Sequence, residues 1–345
     1  MPRYALLVQP SANRVYAQAS AALTTAELRI VDERVLGGVI DHLDEETIGG
    51  VRYVTFSAPD LDERALAHLS QLSTAFALFE LRDGLLAPLT LTPLARYDDD
   101  LLTILKYSGK TNETFTHLLL HVTLLFREQP EQLLDGSLRV LDPLCGRGTT
   151  LSQALRWGHD AVGLDLDRKD VEAYAGFLKS WLKRKRLKHT IATTPVRHDG
   201  KRVARRTDAT VAPTKEDWAA GRTQRLSVLH ADTLRAGELV KPRSVDAVVT
   251  DAPYGVQHGS RHPEHGLARR PLDLLEAAVP VWVGLLRPGG ALGIAWNTHV
   301  AARDDLADLL RRHGLLVADS EPYRALQHRV DSSILRDVIV ARRPS

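Results

Sequence analysis

Cysteine is almost absent. Cys145 is the only one in 345 residues, which excludes an internal disulfide and a cysteine-rich zinc site and fits a reducing compartment. No apolar run is long enough to span a bilayer. The first residues, Met1-Pro2-Arg3-Tyr4-Ala5-Leu6-Leu7-Val8, lack the long apolar core and small-residue cleavage site of a signal peptide. A cytoplasmic protein is expected. Net charge is also scarce, +2 from 45 basic and 43 acidic residues, so overall charge argues for no particular partner. What is present is ordinary: 44% hydrophobic and 26% charged residues, the composition of a globular chain. The length suits two domains.

Residues 1–95 read as a small N-terminal α/β domain. Residues 4–8 predict a strand, 15–28 a helix and 51–56 a half-buried strand. Residues 62–72 predict a second helix, with Leu66, Leu69 and Leu72 in one apolar stripe. Residues 76–81 and 85–91 predict a strand pair joined through Asp83-Gly84 in a type I′ turn. The order β-α-β-α-β-β suggests a ferredoxin-like domain.

Residues 96–345 alternate strands and helices, which predicts a parallel, doubly wound, Rossmann-like sheet. Seven strands are expected at 138–141, 161–164, 227–229, 247–250, 291–296, 315–318 and 334–340, the last antiparallel. A basic insertion at about 180–225 interrupts the rhythm. From Lys179 to Arg206, Lys183, Arg184, Lys185, Arg186, Lys188, Arg197, Lys201, Arg202, Arg205 and Arg206 face one acid, Asp199. A charge run is often only a solvated face. In a near-neutral chain such a cluster suits phosphates, and nucleic-acid contact is the favoured reading.

Two familiar glycine motifs are missing. Gly109-Lys110-Thr111 lacks the first glycine of a P-loop, because Ile104 stands there. This segment reads equally as a turn whose Thr111 or Asn112 caps a helix to about residue 126 and as a cofactor contact. After the first strand of the large sheet, Gly146 and Gly148 match two glycines of a dinucleotide fingerprint, but Leu151 replaces the third. That argues against a nicotinamide cofactor. Carboxylates end three consecutive strands, at Asp142, Asp165 and Asp232, on the edge where such sheets bind ligands. Cys145 reads as a packing residue, since no base is placed beside it. His258, His262 and His265 have no helical or acidic pattern around them, and no metal site is expected.

The run Asp142-Pro143-Leu144-Cys145-Gly146-Arg147-Gly148-Thr149-Thr150-Leu151 resembles the donor loop of class I S-adenosylmethionine-dependent methyltransferases. The resemblance implies that Asp142, Pro143, Gly146, Gly148 and Thr149 bind S-adenosyl-L-methionine. Asp142 would take its ammonium end, Asp165 its ribose hydroxyls and Asp232 its adenine amine. Asp251-Ala252-Pro253-Tyr254 resembles the Asp/Asn-Pro-Pro-Tyr/Phe motif of amino-group methyltransferases. There Asp251 and the carbonyl of Ala252 would accept the N–H bonds of an exocyclic amine, and Tyr254 would stack on the base, which must leave its helix to arrive. Ala252 departs from the motif's first proline, while Pro253 still biases residue 252 toward an extended backbone.

Thr250-Asp251-x-Pro253-Tyr254-Gly255-Val256 with Gly259 and Arg261, and Tyr107-x-Gly109-Lys110-Thr111 upstream, are similar to segments of the tRNA guanosine N2-methyltransferases. The resemblance covers residues 105–345 and implies methyl transfer to guanine N2 in tRNA, with RNA binding as the role of the N-terminal domain; charge alone suits Arg261 and the Lys183 to Arg186 cluster to RNA phosphates. Two alternatives stand beside it. One is a DNA methyltransferase for adenine N6 or cytosine N4. The other is a donor- or RNA-binding protein without catalysis, for which Ala252 is the support.

Overall fold

The computed structural model describes residues 1–10, 14–107, 110–198, 201–252 and 271–345. At the N-terminus β1 (Arg3–Val8), α1 (Arg14–Val31), β2 (Asp41–Ile48), β3 (Val51–Ser57), α2 (Glu63–Leu69), β4 (Ala75–Arg82) and β5 (Leu85–Leu89) follow one another. The strands form an antiparallel sheet in the order β2-β3-β1-β4-β5. The expected β-α-β-α-β-β order is corrected by β2. Its sequence, Asp41-His42-Leu43-Asp44-Glu45-Glu46-Thr47-Ile48, is largely exposed and acidic on both faces. An edge strand tolerates that, and no period-2 signal marks it. With β2 included, the first six elements run β-α-β-β-α-β, the ferredoxin-like order. Asp83 and Gly84 both have positive φ, 50° and 76°, as a type I′ turn requires.

A short helix, α3 (Asp100–Thr103), and a longer one, α4 (Glu113–Leu125), lead to the second sheet. Asn112 caps α4, its Oδ1 accepting from the Thr114 and Phe115 N–H groups at 2.8 and 3.1 Å. Then come β6 (Arg139–Asp142), α5 (Thr149–Arg156), β7 (Asp160–Asp165), α6 (Arg168–Arg184), β8 (Lys188–His198), β9 (Lys201–Ala212), α7 (Lys215–Ala219), β10 (Gln224–His230), α8 (Ala236–Leu239) and β11 (Val245–Asp251). The chain ends through α9 (Pro271–Leu285), β12 (Leu286–Asn297), α10 (Arg303–Arg312), β13 (Leu316–Val317), α11 (Glu321–Arg324), β14 (His328–Arg329) and β15 (Leu335–Arg342).

The second sheet runs β13-β15-β12-β11-β6-β7-β10-β9-β8, with β14 on β15. The seven expected strands are β6, β7, β10, β11, β12, β13 and β15. The five central ones are parallel, and β15 runs antiparallel to β12. This is a Rossmann-like α/β sheet. Its sheet is larger than expected, because β8, β9 and β14 also join it. The basic insertion is therefore largely sheet: β9 pairs with β10, and β8 with β9. β10 ends at His230 opposite Arg205, whereas the hairpin pairs onward to His198 and Lys201. Its end thus overhangs the carboxyl edge of the parallel strands.

Strand alternation divides the core. β6 sends Val140 to one face and Leu141 to the other, and β11 sends Val249 and Val248 the same two ways. The first face carries α4, α5 and α6 and shares one core with Tyr4, Leu6, Leu28 and Phe56 of the N-terminal unit. Polar bonds cross that junction. Fully buried Glu27 accepts from the Ser73 N–H at 2.9 Å and its hydroxyl at 2.7 Å, and pairs with His121 Nδ1 at 2.7 Å. Burial near these groups pushes His117 and His68 down to about 4, and burial beside Arg127 and Arg96 pushes His159 to about 3. Below about pH 6.5 the unfolded chain binds protons that these buried imidazoles refuse until about pH 4. Each imidazole therefore lowers stability with acid across that window, by at most about 1.4 kcal/mol per pH unit, and together they outweigh the opposing gain from the raised Asp142 carboxyl. Urea unfolding at pH 7 and pH 5 is expected to show a clearly lower midpoint at pH 5; equal midpoints would refute this picture of the junction. Among the described residues no helix is long and apolar enough to cross a membrane.

Candidate active site at the carboxyl edge of the sheet

β6 and β11 are hydrogen-bonded parallel neighbours, and each ends in a carboxylate, Asp142 and Asp251. Both line one cavity of about 250 Å³, together with Gly146, Arg147, Tyr107 and Asp170. Asp142 is 3% exposed. Burial pushes its carboxyl up to about 7, against hydrogen bonds from Thr150 and the Leu144 N–H that favour the anion. Arg147 Nε donates to Asp170 Oδ1 at 2.7 Å and its guanidinium lies 4.6 Å from the centre of the Tyr107 ring. The cavity lining therefore holds three carboxyl groups and one paired guanidinium. Such a lining attracts a cation and repels a phosphate.

The two glycines of the loop act differently. Gly146 has φ +48° and a side chain there would meet nothing within 4 Å, so its open side faces free space. Gly148 has φ +73° and an added Cβ would stand 2.5 Å from the Tyr174 ring. Its glycine is required by packing against α6 as much as by the turn. Pro143 is buried, and Thr149 opens α5 with its hydroxyl 3.5 Å from that of Tyr107. Cys145 is buried beside Gly163 and burial pushes its thiol up, which is the environment of a packing residue.

Asp165 and Asp232 do not line the cavity. Asp165 Oδ2 accepts the Gly146 N–H at 2.7 Å and its Oδ1 the Asp167 N–H at 2.8 Å, so it props the glycine loop from behind. Burial raises its pKa, opposed by those two bonds. Asp232 follows β10 and accepts from the Leu234 N–H at 2.9 Å, capping a short turn.

Asp251 stands at the tip of a buried strand. Thr111 Oγ1 donates to its Oδ2 at 2.9 Å, and Arg336 Nη2 lies 3.5 Å from the same oxygen. Thr111 and Arg336 also line a second cleft of about 610 Å³ between the N-terminal unit and the large sheet, with Tyr16, Ser73, Lys110 and His328. The two cavities meet at Thr111. Ala252 is 1% exposed, and its N–H donates to the Ala295 carbonyl at 2.8 Å, continuing the ladder between β11 and β12. Proline has no N–H. The departure from the Pro-Pro motif thus has a physical reason.

Pro253, Tyr254 and Arg261, along with His258, His262 and His265, lie outside the described residues. Lys183 and Arg184 form the last turn of α6, and Lys185 and Arg186 follow it. α6 has 17 residues, about 25 Å of helix, and starts at the carboxyl edge. The cluster therefore sits at the opposite edge, where Lys185 Nζ meets Asp98 at 2.6 Å and Asp100 at 2.7 Å and Arg184 meets Asp100 at 3.4 Å. The structure does not bring it to the cavity. Arg147, Asp170 and Arg336 were not singled out from sequence. The first two stand on either side of Asp165 in ordinary polar positions, and only the pairing of β15 brings Arg336 near.

No protein-family model and no curated protein matches the chain. Solved structures do align with it. The magnesium protoporphyrin IX methyltransferase of Synechocystis PCC 6803, with bound S-adenosylmethionine, is 14% identical over 69% of this chain and 86% of that one, with a TM-score of 0.40. Precorrin-6y C5,15-methyltransferase of Geobacter metallireducens GS-15 is 13% identical over 73% and 99%, with a TM-score of 0.36. An rRNA methylase of Streptococcus thermophilus is 10% identical over 69% and 100%, with a TM-score of 0.34.

Proposed function

We propose that this chain is a methyltransferase that uses S-adenosyl-L-methionine to methylate an exocyclic amine of a nucleic-acid base, with guanine N2 in tRNA as the leading acceptor. The observation that carries the reading is the pair of carboxylates, Asp142 and Asp251, at the tips of two adjacent parallel strands and in one acidic cavity. S-adenosyl-L-methionine suits that lining because its sulfonium and ammonium are both cationic; when bound it supplies an electrophilic methyl group. Asp142 holds the ammonium. Gly146 gives the room for close approach. Asp251 accepts an N–H of the acceptor amine and stabilises the positive charge that develops on nitrogen. Tyr254 stacks on the base and Pro253 stiffens its loop.

The motif around Asp251 and the segment at Tyr107 to Thr111 support guanine N2 and tRNA. Tyr107 and Thr111 line the donor cavity, which favours the cofactor-contacting reading of that segment. The overhanging basic hairpin and Arg261 are suited to RNA phosphates near the acceptor, and Lys183 to Arg186 to phosphates farther away. Residues 1–95 and 96–345 are taken as two domains with a shared core, working in the cytoplasm. The N–H bond of Ala252 gives its departure from proline a structural reading, which supports an active enzyme over an inactive binding protein. Mass spectrometry of nucleosides from a deletion strain is expected to show loss of N2-methylguanosine from tRNA. A methylated adenine or cytosine lost from DNA instead would favour the DNA alternative, and unchanged tRNA would defeat the tRNA reading.

A further inference from the structure

Among the described residues, two from distant parts of the chain hold Asp251. Thr111, just before α4, and Arg336, on β15, both reach its Oδ2, at 2.9 and 3.5 Å. Arg336 is itself fixed. Its side chain is 5% exposed, and its guanidinium lies 4.1 Å from the centre of the Phe115 ring, a cation–π contact. Phe115 is held in turn, because the Asn112 cap takes its N–H and His328 packs 5.0 Å from its ring. A carboxylate with one oxygen clamped between a hydroxyl and a stacked guanidinium has its plane set, and with it the direction of the other oxygen. The clamp lies at the seam of the two cavities, since Thr111 lines both.

We infer that Thr111 and Arg336 are positioning residues that aim Asp251 at the acceptor amine arriving through the larger cleft. The inference rests on the proposed function for the identity of that amine, but the clamp itself can be judged without it. A plain structural ion pair would tie β15 to β11 and do no more. A positioning pair acts on the chemical step, because misplacing a reacting group by about 1 Å costs about 100-fold in rate.

Four variants separate the two roles: Arg336→Met, Arg336→Lys, Thr111→Val and Thr111→Ser. Arg336→Met and Thr111→Val are each expected to lower kcat about 100-fold, while the calorimetric affinity of Arg336→Met for S-adenosylhomocysteine stays unchanged, because Arg336 does not line the smaller cavity. Thr111→Ser is expected to restore the rate, and Arg336→Lys to restore it in part because the stacked planar fork is lost. In an Asp251→Ala background neither substitution should lower the residual rate further. Equal losses with and without Asp251 would overturn the inference, as would an unchanged kcat. Crystal structures of the wild type and of Thr111→Val/Arg336→Met give a readout without any substrate. A rotated Asp251 carboxylate supports the clamp, and an unmoved one overturns it. If the wild type methylates neither RNA nor DNA, the proposed function fails while this comparison still decides the clamp.

Discussion

Asp142→Asn is expected to raise the stability of the ligand-free protein and to abolish donor binding. The Asp142 carboxyl is pushed up to about 7 because it is buried. An acid with a raised pKa in the folded state favours folding in its protonated form. That contribution is complete below the unfolded value of about 3.9 and is lost as pH rises through about 7. At pH 8 the buried anion costs on the order of 2–4 kcal/mol. Asparagine carries no charge and can still accept the Leu144 N–H that now reaches Oδ1 at 3.1 Å. The donor, however, loses the anion opposite its ammonium, and breaking a buried pair costs about 3–5 kcal/mol. At least a 100-fold loss in affinity follows. The same logic makes donor affinity in the wild type fall as pH drops below about 7. Titration calorimetry at pH 8 and pH 6, with thermal unfolding of both proteins, checks all three parts. An Asp142→Asn protein that binds the donor normally, or melts earlier than the wild type, would show that Asp142 is not the buried anion of this site.

The edge of the sheet was legible in the sequence because strands there end abruptly in residues with special backbones. Pro143, Gly146 and Gly148 mark the first loop, and β-branched Val248, Val249 and Thr250 lead straight into Asp251. Periodicity also placed α1 and α2, and the cap signal at Thr111 or Asn112 placed α4, where Asn112 is the cap. The sequence could not show what depends on partners far along the chain. The Tyr174 ring that demands glycine at 148 lies on α6. Arg336 reaches Asp251 only because β15 lies beside β12, which pairs with β11. β2 escaped notice because an exposed edge strand needs no apolar face. The basic run hid a hairpin for a different reason: its lysines and arginines interrupt the apolar alternation, although Thr190 faces Thr210 and Thr193 faces Thr207 as β-branched pairs across the ladder. The same charge pattern includes Lys183 to Arg186, which the length of α6 carries away from the cavity.

Asp251→Ala carries the other large effect. The carboxylate ends β11, lines the acidic cavity and touches the seam with the larger cleft. Removing it takes away the acceptor for the amine N–H and the charge that stabilises the cationic nitrogen. Loss of one preorganised group of this kind lowers kcat by about 10²–10³-fold. The substitution also leaves the buried Arg336 without this partner, so the variant's unfolding must be measured alongside its rate. Asp251→Asn keeps an acceptor in place, and an intermediate rate is expected for it.

The most direct test uses purified wild-type and Asp251→Ala protein with methyl-labelled S-adenosyl-L-methionine and unmodified tRNA, followed by nucleoside digestion. The account predicts label on an exocyclic amine with the wild type, and its near-complete loss with Asp251→Ala while donor binding persists. Label on a ribose oxygen or a ring carbon, or equal transfer by both proteins, would contradict it.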